Sequence, residues 1–350
     1  MNVVGMVMPV YDQDPNYLVL SIDSVLQQTY QKFHLVIVID GANKQTRDIV
    51  YQYKNESRIT IIDKPVNEGI AHALNTGFDY LFRLDEVELL TWGSSDNIIY
   101  PDFFLKLRNK LKDSGPNVGL VYSCFDHIDG NGKLLYSKME QDHFRKWQES
   151  KTLDDLLDFS FIGTSFMYKK VYAKRIGGYY LDPVQTYDYW LRLTEICDVE
   201  FVPEELMAYR YHSSLSLSKE IQEDETKHRW WRDQYNLARH MARERRGLSY
   251  ETTIFFPVLT FSESTIEDLE NLLDQRYHNY LLVIIDKTKQ VTNKLKSLGI
   301  NDPRITVMER AGEDNNLLNS IQAPKTPYNL VYTNQYNFSD VNCLSNIIRN

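Results

Sequence analysis

The residue best placed for chemistry is Asp96, which lies in the segment TWGSSDNIIYP at residues 91–101. The apolar run before it predicts a β-strand, so Asp96 falls in a polar turn at that strand's carboxyl end. Open α/β sheets bind ligands at this edge. A single Asp there can hold a divalent metal against a diphosphate, because phosphate and water oxygens complete the coordination shell. A turn residue that caps the next helix explains Asp96 without a ligand.

The elements that position this turn follow from the pattern of the first 80 residues. Short β-branched runs alternate there with helical segments. This βαβαβα order predicts a mostly parallel sheet with helices on its faces. The sequence DGNG at residues 129–132 predicts a hairpin turn added to the same sheet. The predicted fold class is therefore mixed α/β.

The composition is that of a globular protein. The 350 residues are 43% hydrophobic and 25% charged, enough for one large domain or roughly two ordinary ones. No apolar stretch approaches the roughly 20 residues that span a bilayer, and the N-terminus lacks a basic signal region, so we expect a cytoplasmic protein. Three scattered cysteines do not make a disulfide framework or a zinc cluster. A net charge of −9 argues against nucleic-acid partners.

The chain also contains an internal repeat. The segment that ends in Asp40 is echoed by the segment that ends in Asp286, and Gln28 matches Gln275 at nearly the same offset. The second copy has no counterpart of most of the first. We therefore expect it to be a degenerate half-domain rather than a second active site.

A charged helical segment precedes this second copy. Residues 227–246 carry seven Lys and Arg against Asp233 and Glu244, with aromatic residues interleaved. Such a helix can lie on an anionic membrane that carries a lipid-linked acceptor. Packing of its apolar residues between domains, with solvated charges, explains the same pattern. A peripheral membrane contact is therefore one of two readings.

Seven segments in the first 215 residues resemble family 2 glycosyltransferases, which have the GT-A fold. In order, they are MPVYDQ, SVLQQTYQKFHLVIVIDGA, NEGIAHALNTG, TWGSSDNIIYP, FIGTSFMYKKVYAKRIGGYY, YDYWLRL and YRYHSSLS. The nearest subtype builds bacterial surface, capsule or spore-coat polysaccharides. The resemblance implies a GT-A domain with a Rossmann-like, mostly parallel sheet, and the charged helical segment and the internal repeat predict a helical connector and a partial GT-A-like repeat after it. Their expected ranges are 1–217, 218–250 and 251–350.

The resemblance implies transfer of a sugar, with inversion, from a UDP- or dTDP-type donor to a hydroxyl of a glycan or lipid-linked glycan. Asp188 is the candidate general base that takes the acceptor's proton. It precedes an apolar helical pattern, so the positive end of a helix favours its ionised form. Capping of that helix is the alternative role. The family commonly has Glu immediately before this Asp, whereas this chain has Tyr187.

The resemblance also implies a set of donor ligands. The residues expected to bind the nucleotide are Pro9, Tyr11, Asp40, Asn67, Gly69, Asn75, Ser94, Ser95 and Arg210. Pro9, Tyr11 and Asp40 correspond to positions that hold the base and ribose. Asn67, Gly69 and Asn75 surround the start of a helix, where backbone amides favour anions. Asp40 as a plain turn residue, and Asn67 as a helix cap, are the alternatives. Arg210 is expected to stabilise the departing diphosphate.

The expected metal is Mn²⁺ or Mg²⁺, with Asp96 and His212 as ligands. Asp96 corresponds to the last carboxylate of the family's metal motif. Positions where the family often has acidic residues are Ser94 and Ser95, which can form hydrogen bonds but carry no charge. A structural His is the alternative for His212.

Two other functions compete with this one. A non-catalytic paralogue that binds nucleotide or glycan in a coat or synthase assembly agrees with the missing acidic residues, with Tyr187 and with the degenerate second copy. A dinucleotide oxidoreductase is disfavoured, because no glycine-rich phosphate fingerprint follows the first strand.

Overall fold

The computed structural model describes residues 3–211, 217–309, 326–333 and 338–349. The chain divides into two compact units, Met1–Glu220 and Ile221–Asn350. None of the described helices is both long and apolar enough to cross a membrane.

The first unit is built on one large sheet. Its strands are β1 (Val3–Val10), β2 (Phe33–Asp40), β3 (Ile59–Lys64), β4 (Val87–Trp92), β5 (Ile98–Ile99), β6 (Val118–Ile128), β7 (Phe166–Lys169) and β8 (Asp198–Arg210). Its helices are α1 (Pro15–Leu26), α2 (Lys44–Tyr51), α3 (Ile70–Phe82), α4 (Phe103–Asp113), α5 (Lys138–Glu149), α6 (Lys170–Ile176) and α7 (Gln185–Leu193). The strand order is β3-β2-β1-β4-β7-β6-β8-β5.

Most of this sheet is parallel, as the alternating sequence pattern predicts. Strands β3, β2, β1 and β4 run parallel, and β7 is antiparallel to both of its neighbours. The central strand β2 reads FHLVIVID and is buried along nearly its whole length, as expected for a strand covered on both faces. The mixed α/β prediction is confirmed. The predicted turn at residues 129–132 forms, although it leads only to an isolated bridge between Ile128 and Leu134.

The second unit has a smaller sheet. Its strands are β9 (Thr252–Val258), β10 (Tyr280–Asp286), β11 (Ile305–Glu309) and β12 (Tyr328–Val331). Helix α8 (Leu217–Glu223) spans the boundary between the units, and the unit's other helices are α9 (Glu225–Arg246), α10 (Glu263–Leu273), α11 (Val291–Leu298) and α12 (Cys343–Arg349). The four strands are parallel in the order β11-β10-β9-β12. This repeats the order β3-β2-β1-β4, so the predicted partial repeat is confirmed.

Charged and polar side chains of helix α9 form hydrogen bonds and an ion pair with other residues of the second unit. The Arg229 guanidinium lies 2.6 Å from the Glu270 carboxylate, and the Asn236 side-chain amide donates to Asp302 at 2.8 Å. The backbone amide of Asn301 donates to Asp233 at 2.5 Å. These contacts pack α9 against α10 and the segment before β11. A membrane contact of this helix stays a prediction.

Candidate active site

Several of the expected site residues lie at one edge of the first sheet. Strand β1 lies between β2 and β4 and is parallel to both, so the carboxyl ends of all three strands meet. Pro9 lies near the end of β1, and Asp40 is the last residue of β2. Tyr11 follows β1 with 51% of its surface exposed. The turn that contains Asp96 follows β4. The structure therefore brings the Asp40 and Asp96 groups to the same edge.

Asp40 is a buried carboxylate that pairs with a lysine. It is 4% exposed, and Lys64 Nζ, at the end of β3, donates to it at 2.6 Å. The backbone amides of Glu68 and Gly69, just before α3, also donate to it, at 3.2 and 3.0 Å. Burial lowers the pKa of Lys64, but hydrogen bonds to Asp40 and Glu68 outweigh this and leave its pKa raised. The edge therefore contains a charged ion pair with little solvent around it.

The segment before α3 passes very close to the end of β2. Gly41 has φ +68°, and a Cβ on it would lie 2.2 Å from the backbone nitrogen of Asn67. Only glycine permits both this backbone conformation and this approach. The Asn67 side chain accepts a hydrogen bond from the amide of Gly69 at 2.9 Å. Asn67 thus stabilises the turn that leads into α3.

The Asn75 side chain is hydrogen-bonded to a loop and is not free to contact a ligand at the sheet edge. Its side-chain amide donates to the Tyr179 carbonyl at 2.9 Å and accepts from the Tyr179 amide at 2.7 Å. A Cβ on Gly178 would lie 2.4 Å from Asn75 Oδ1, so glycine is required there. Asn75 therefore fixes the Gly177-Gly178 loop against α3.

The Asp96 turn is held by its serines. The Ser94 hydroxyl donates to Asp96 Oδ1 at 2.6 Å. Ser95 is buried, and its hydroxyl accepts from the Gln13 side-chain amide at 3.1 Å. The two residues that replace acidic ones in the family pattern thus orient the turn and its remaining carboxylate.

Arg210, at the end of β8, ties this turn to its neighbour. Its buried guanidinium donates from Nε to the Asp96 carbonyl at 3.1 Å and from one terminal nitrogen to the carbonyls of Asp129 and Gly130. It also lies 4.0 Å from the centre of the Tyr17 ring. In this arrangement Arg210 supports the backbone beneath Asp96.

The donor set around Asp96 fits a hard divalent cation. Among the described residues, no group of three or more His, Cys, Asp and Glu side chains is arranged around a common metal position. Asp96 offers a partly exposed carboxylate at a ligand-binding sheet edge, which suffices for Mg²⁺ or Mn²⁺ when phosphates and water supply the other oxygens. The other expected ligand, His212, lies outside the described residues.

Asp188 lies in the first turn of α7 and is 1% exposed. The Arg192 guanidinium donates two hydrogen bonds to Asp188, at 2.7 and 3.0 Å, and both are accepted by the same oxygen, Oδ2. Arg192 also donates to the carbonyls of Ile176 and Gly178, each at 2.8 Å. The hydrogen bonds of the Asp188 carboxylate therefore go to Arg192, not to the Asp40 or Asp96 groups.

Residues 6–177 match the family model described as Glycosyl transferase family 2. Residues 6–177 form a glycosyl transferase family 2 domain. The family inferred from the seven segments is thereby confirmed for these residues.

The chain is also similar to a bacterial relative and to two solved structures. An uncharacterized glycosyltransferase of Rickettsia bellii is 23% identical over 361 residues, which cover 89% of this chain and 49% of that protein. This chain thus spans about half the length of that relative. S. aureus TarS 1-349 in complex with UDP-GlcNAc is 14% identical and gives a TM-score of 0.49, covering 86% of this chain and 89% of that one. The mannosyltransferase PcManGT from Pyrobaculum calidifontis, in complex with GDP-Man and Mn²⁺, is 14% identical with a TM-score of 0.48, covering 76% and 78%.

Three residues at this family 2 site were not predicted from the sequence. Lys64 pairs with Asp40, Arg192 pairs with Asp188, and Asp182 lies against the start of α3. The four-residue spacing of Asp188 and Arg192 on a predicted helix was a usable signal for one pair. Lys64 lies beside Asp40 through the parallel register of β2 and β3, which the sequence pattern does not specify.

The second unit has a different arrangement at the matching edge. The Asp286 carboxylate accepts from the amides of Thr288 and Val291 at 2.8 and 2.9 Å, so it stabilises the turn into α11. The residue beside Asp286 in the register of β10 and β11 is Glu309, where the first unit has Lys64. The second copy thus has an acidic residue in place of the cation.

Proposed function

We propose that this family 2 glycosyltransferase transfers a sugar, with inversion, from a UDP- or dTDP-type donor to a glycan hydroxyl in the synthesis of a surface, capsule or spore-coat polysaccharide. The acceptor is a glycan or a lipid-linked glycan. The observation that carries the proposal is the convergence of the Asp40–Lys64 pair and the Asp96 turn at one sheet edge. Because the chain spans about half of its Rickettsia relative, the proposal concerns the activity of this portion.

The nucleoside is bound at the ends of β1 and β2. Tyr11 presents an exposed ring on which a base can stack. Asp40, held in place by Lys64, ends the neighbouring parallel strand β2. Asn67 and Gly69 form the turn at the start of α3, where anionic groups are favoured. In this view Lys64 balances the buried carboxylate while the edge receives a nucleotide.

The diphosphate lies over the Asp96 turn. A divalent cation held there by Asp96 would neutralise the charge that develops on the leaving diphosphate. Asp96 holds the cation, while the Ser94 hydroxyl orients the Asp96 carboxylate. Arg210 supports the turn through the Asp96 carbonyl, so it acts on the diphosphate by positioning.

The reaction needs a base for the acceptor's proton. As the acceptor oxygen attacks the anomeric carbon, the bond to the diphosphate breaks and a carboxylate takes the hydroxyl proton. Asp188 is the residue that the sequence assigns to this step. In the structure the same carboxylate holds Arg192 and, through it, the loop of Gly177 and Gly178. The Asp188→Asn variant separates these two roles.

A screen of UDP- and dTDP-sugars tests the proposal. Binding is measured by thermal shift, and turnover is measured by release of the nucleotide. We expect at least one donor to raise the melting temperature with Mn²⁺ or Mg²⁺, because a ligand that binds the native state stabilises it. We expect the same donor to be consumed in the presence of a glycan acceptor. Absence of binding by every donor with either metal would contradict the proposal.

A non-catalytic nucleotide-binding protein is the second candidate. The observation in its favour is the burial of Asp188 in an ion pair with Arg192, which occupies the assigned base. It predicts donor binding with no turnover under any metal condition. The turnover half of the same screen therefore distinguishes the two functions.

A further inference from the structure

Asp182 lies between the Gly177-Gly178 loop and α7, and its carboxylate reaches the start of α3. Its Oδ2 is 2.9 Å from the point that a Cβ on Gly69 would occupy. Gly69 has φ +93°, a conformation that side chains rarely adopt. The missing side chain at residue 69 therefore makes room for the Asp182 carboxylate at the donor edge.

The backbone before Asp182 is strained. Leu181 has φ +58°, and a bulky residue rarely adopts this left-handed conformation. Such strain persists only where the surrounding structure imposes it, and it concentrates at functional sites. Here it accompanies the approach of the next residue, Asp182, to α3.

The Asp182 carboxylate is only partly satisfied by the described residues, since the Ala71 amide donates to it. Its Oδ1 is buried, and no described residue donates a hydrogen bond to it. Burial raises the pKa of Asp182, and the charge of Asp40 acts in the same direction, while the Ala71 amide and His72 oppose the rise. The nearby cation Lys64 is bound to Asp40 and Glu68 instead. A carboxylate with spare acceptor capacity thus lies beside the proposed donor site.

We propose that Asp182 is a donor-binding residue whose carboxylate accepts a hydrogen bond from a hydroxyl of the nucleotide sugar bound beside Gly69. This inference rests on the proposed function, because it requires a donor at this edge. The hydroxyl belongs either to the ribose or to the transferred sugar. Both sources present the same chemistry to the carboxylate.

Binding of UDP and of UDP-glucose, each with Mn²⁺, tests the inference by calorimetry at pH 7.5. We expect Asp182→Asn to weaken binding of at least one probe by about tenfold or more. A loss for both probes assigns the contact to the ribose, and a loss for UDP-glucose alone assigns it to the sugar. The matched control is Asp79→Asn, which removes an exposed carboxylate from the middle of α3 and should leave both affinities unchanged.

The pH dependence separates binding from a merely structural role. The ratio of the dissociation constants of Asp182→Asn and wild type should fall towards one as the pH is lowered, because protonation replaces the charged acceptor of the wild type with a neutral carboxyl, as the variant has a neutral amide. Taking the ratio cancels the titration of Asp40, His72, Lys64 and Glu68, which both proteins share. If Asp182→Asn does not fold, Asp182→Ala is measured in its place.

Affinities of Asp182→Asn within twofold of wild type for both probes would overturn the inference and leave the proposed function intact. Failure of the wild-type protein to bind either probe or any donor of the wider screen would overturn both.

Discussion

Gln28 and Gln275 make the same hydrogen bonds at equivalent places in the two units. The Gln28 side-chain oxygen accepts from the amide of Phe104 at 3.0 Å, at the start of α4. The Gln275 side-chain oxygen accepts from the amide of Leu344 at 2.9 Å, at the start of α12. Each glutamine follows the first helix of its repeat and fixes the start of a helix that packs nearby. The repeat therefore extends to a specific buried polar contact.

Replacement of this glutamine should destabilise the first unit. In Gln28→Leu, the Phe104 amide loses its acceptor in a buried position, while the Tyr100 carbonyl loses the 2.7 Å bond from Gln28 but keeps the bond from the Phe103 amide. We expect the free energy of unfolding to fall by about 1–3 kcal/mol, the cost of one unsatisfied buried group. Urea denaturation measures the change. Gln52→Leu, on an exposed site, is the control and should stay within about 0.5 kcal/mol of wild type.

Removal of Lys64 should leave Asp40 as an unpaired buried charge. We expect Lys64→Met to lower the free energy of unfolding by about 3–5 kcal/mol, the range for breaking a buried pair from one side. The double variant with Asp40→Asn should recover much of this loss. The exposed pair of Lys44 and Asp48 provides the control, because their side chains are 88% and 60% exposed and Lys44→Met should cost under about 1 kcal/mol. Equal losses in the two Lys variants would contradict the buried-pair interpretation.

Variants of Asp188 and Arg192 distinguish a structural role of this pair from a catalytic role of Asp188. If the pair mainly holds the Gly177-Gly178 loop, Asp188→Asn and Arg192→Met should each lower stability, and the double variant should lose little more than either one, because they break the same contact. A base role predicts a different result for Asp188→Asn, which would bind donor and melt like wild type while its turnover disappears. Melting temperature, donor affinity and turnover of the three variants decide between them.

Asp96→Asn should remove metal-dependent nucleotide binding. The amide cannot supply the charge that a one-carboxylate site needs, so we expect the gain in UDP affinity on adding Mn²⁺ to fall at least tenfold. Asp113→Asn, an exposed carboxylate at the end of α4, should keep the full gain. Calorimetry with and without Mn²⁺ measures both. An unchanged gain in Asp96→Asn would place the metal elsewhere.

Stability of the second unit should depend on the ionisation of Asp233. Burial raises the pKa of this residue to about 6, while the Asn301 amide and Arg232 oppose the rise. The folded state then holds a proton that the unfolded state releases above about pH 4, so wild type loses stability relative to Asp233→Asn as pH rises from about 4 to about 6. The relative loss should reach about 3 kcal/mol, at about 1.4 kcal/mol for each unit of pKa difference. Urea denaturation at pH 4, 5, 6 and 7 measures it, and a constant difference would contradict the prediction.

Much of the fold followed from the sequence because parallel strands impose a strong pattern. The apolar run that ends in Asp40 and the one before Asp96 each predict a strand. Parallel pairing of these strands with β1 then places both residues at one edge of the sheet. The partners of these residues were harder to predict. Lys64 depends on register between strands, and Asp182 lies in a loop whose path no periodicity describes. Arg210 was assigned to the diphosphate because its charge is visible in the sequence, whereas its backbone partners are not.

The register pair of Asp286 and Glu309 has a practical consequence. The second unit repeats the strand order of the first but has an acidic residue at the position of Lys64. It can therefore serve as an internal negative control for nucleotide binding to the first unit. In a nucleotide titration followed by amide chemical shifts, signals from the end of β10 should stay in place while those from the end of β2 move. A nonspecific effect of the added salt or metal would move both sets, and the duplicated sheet would reveal it without a second protein.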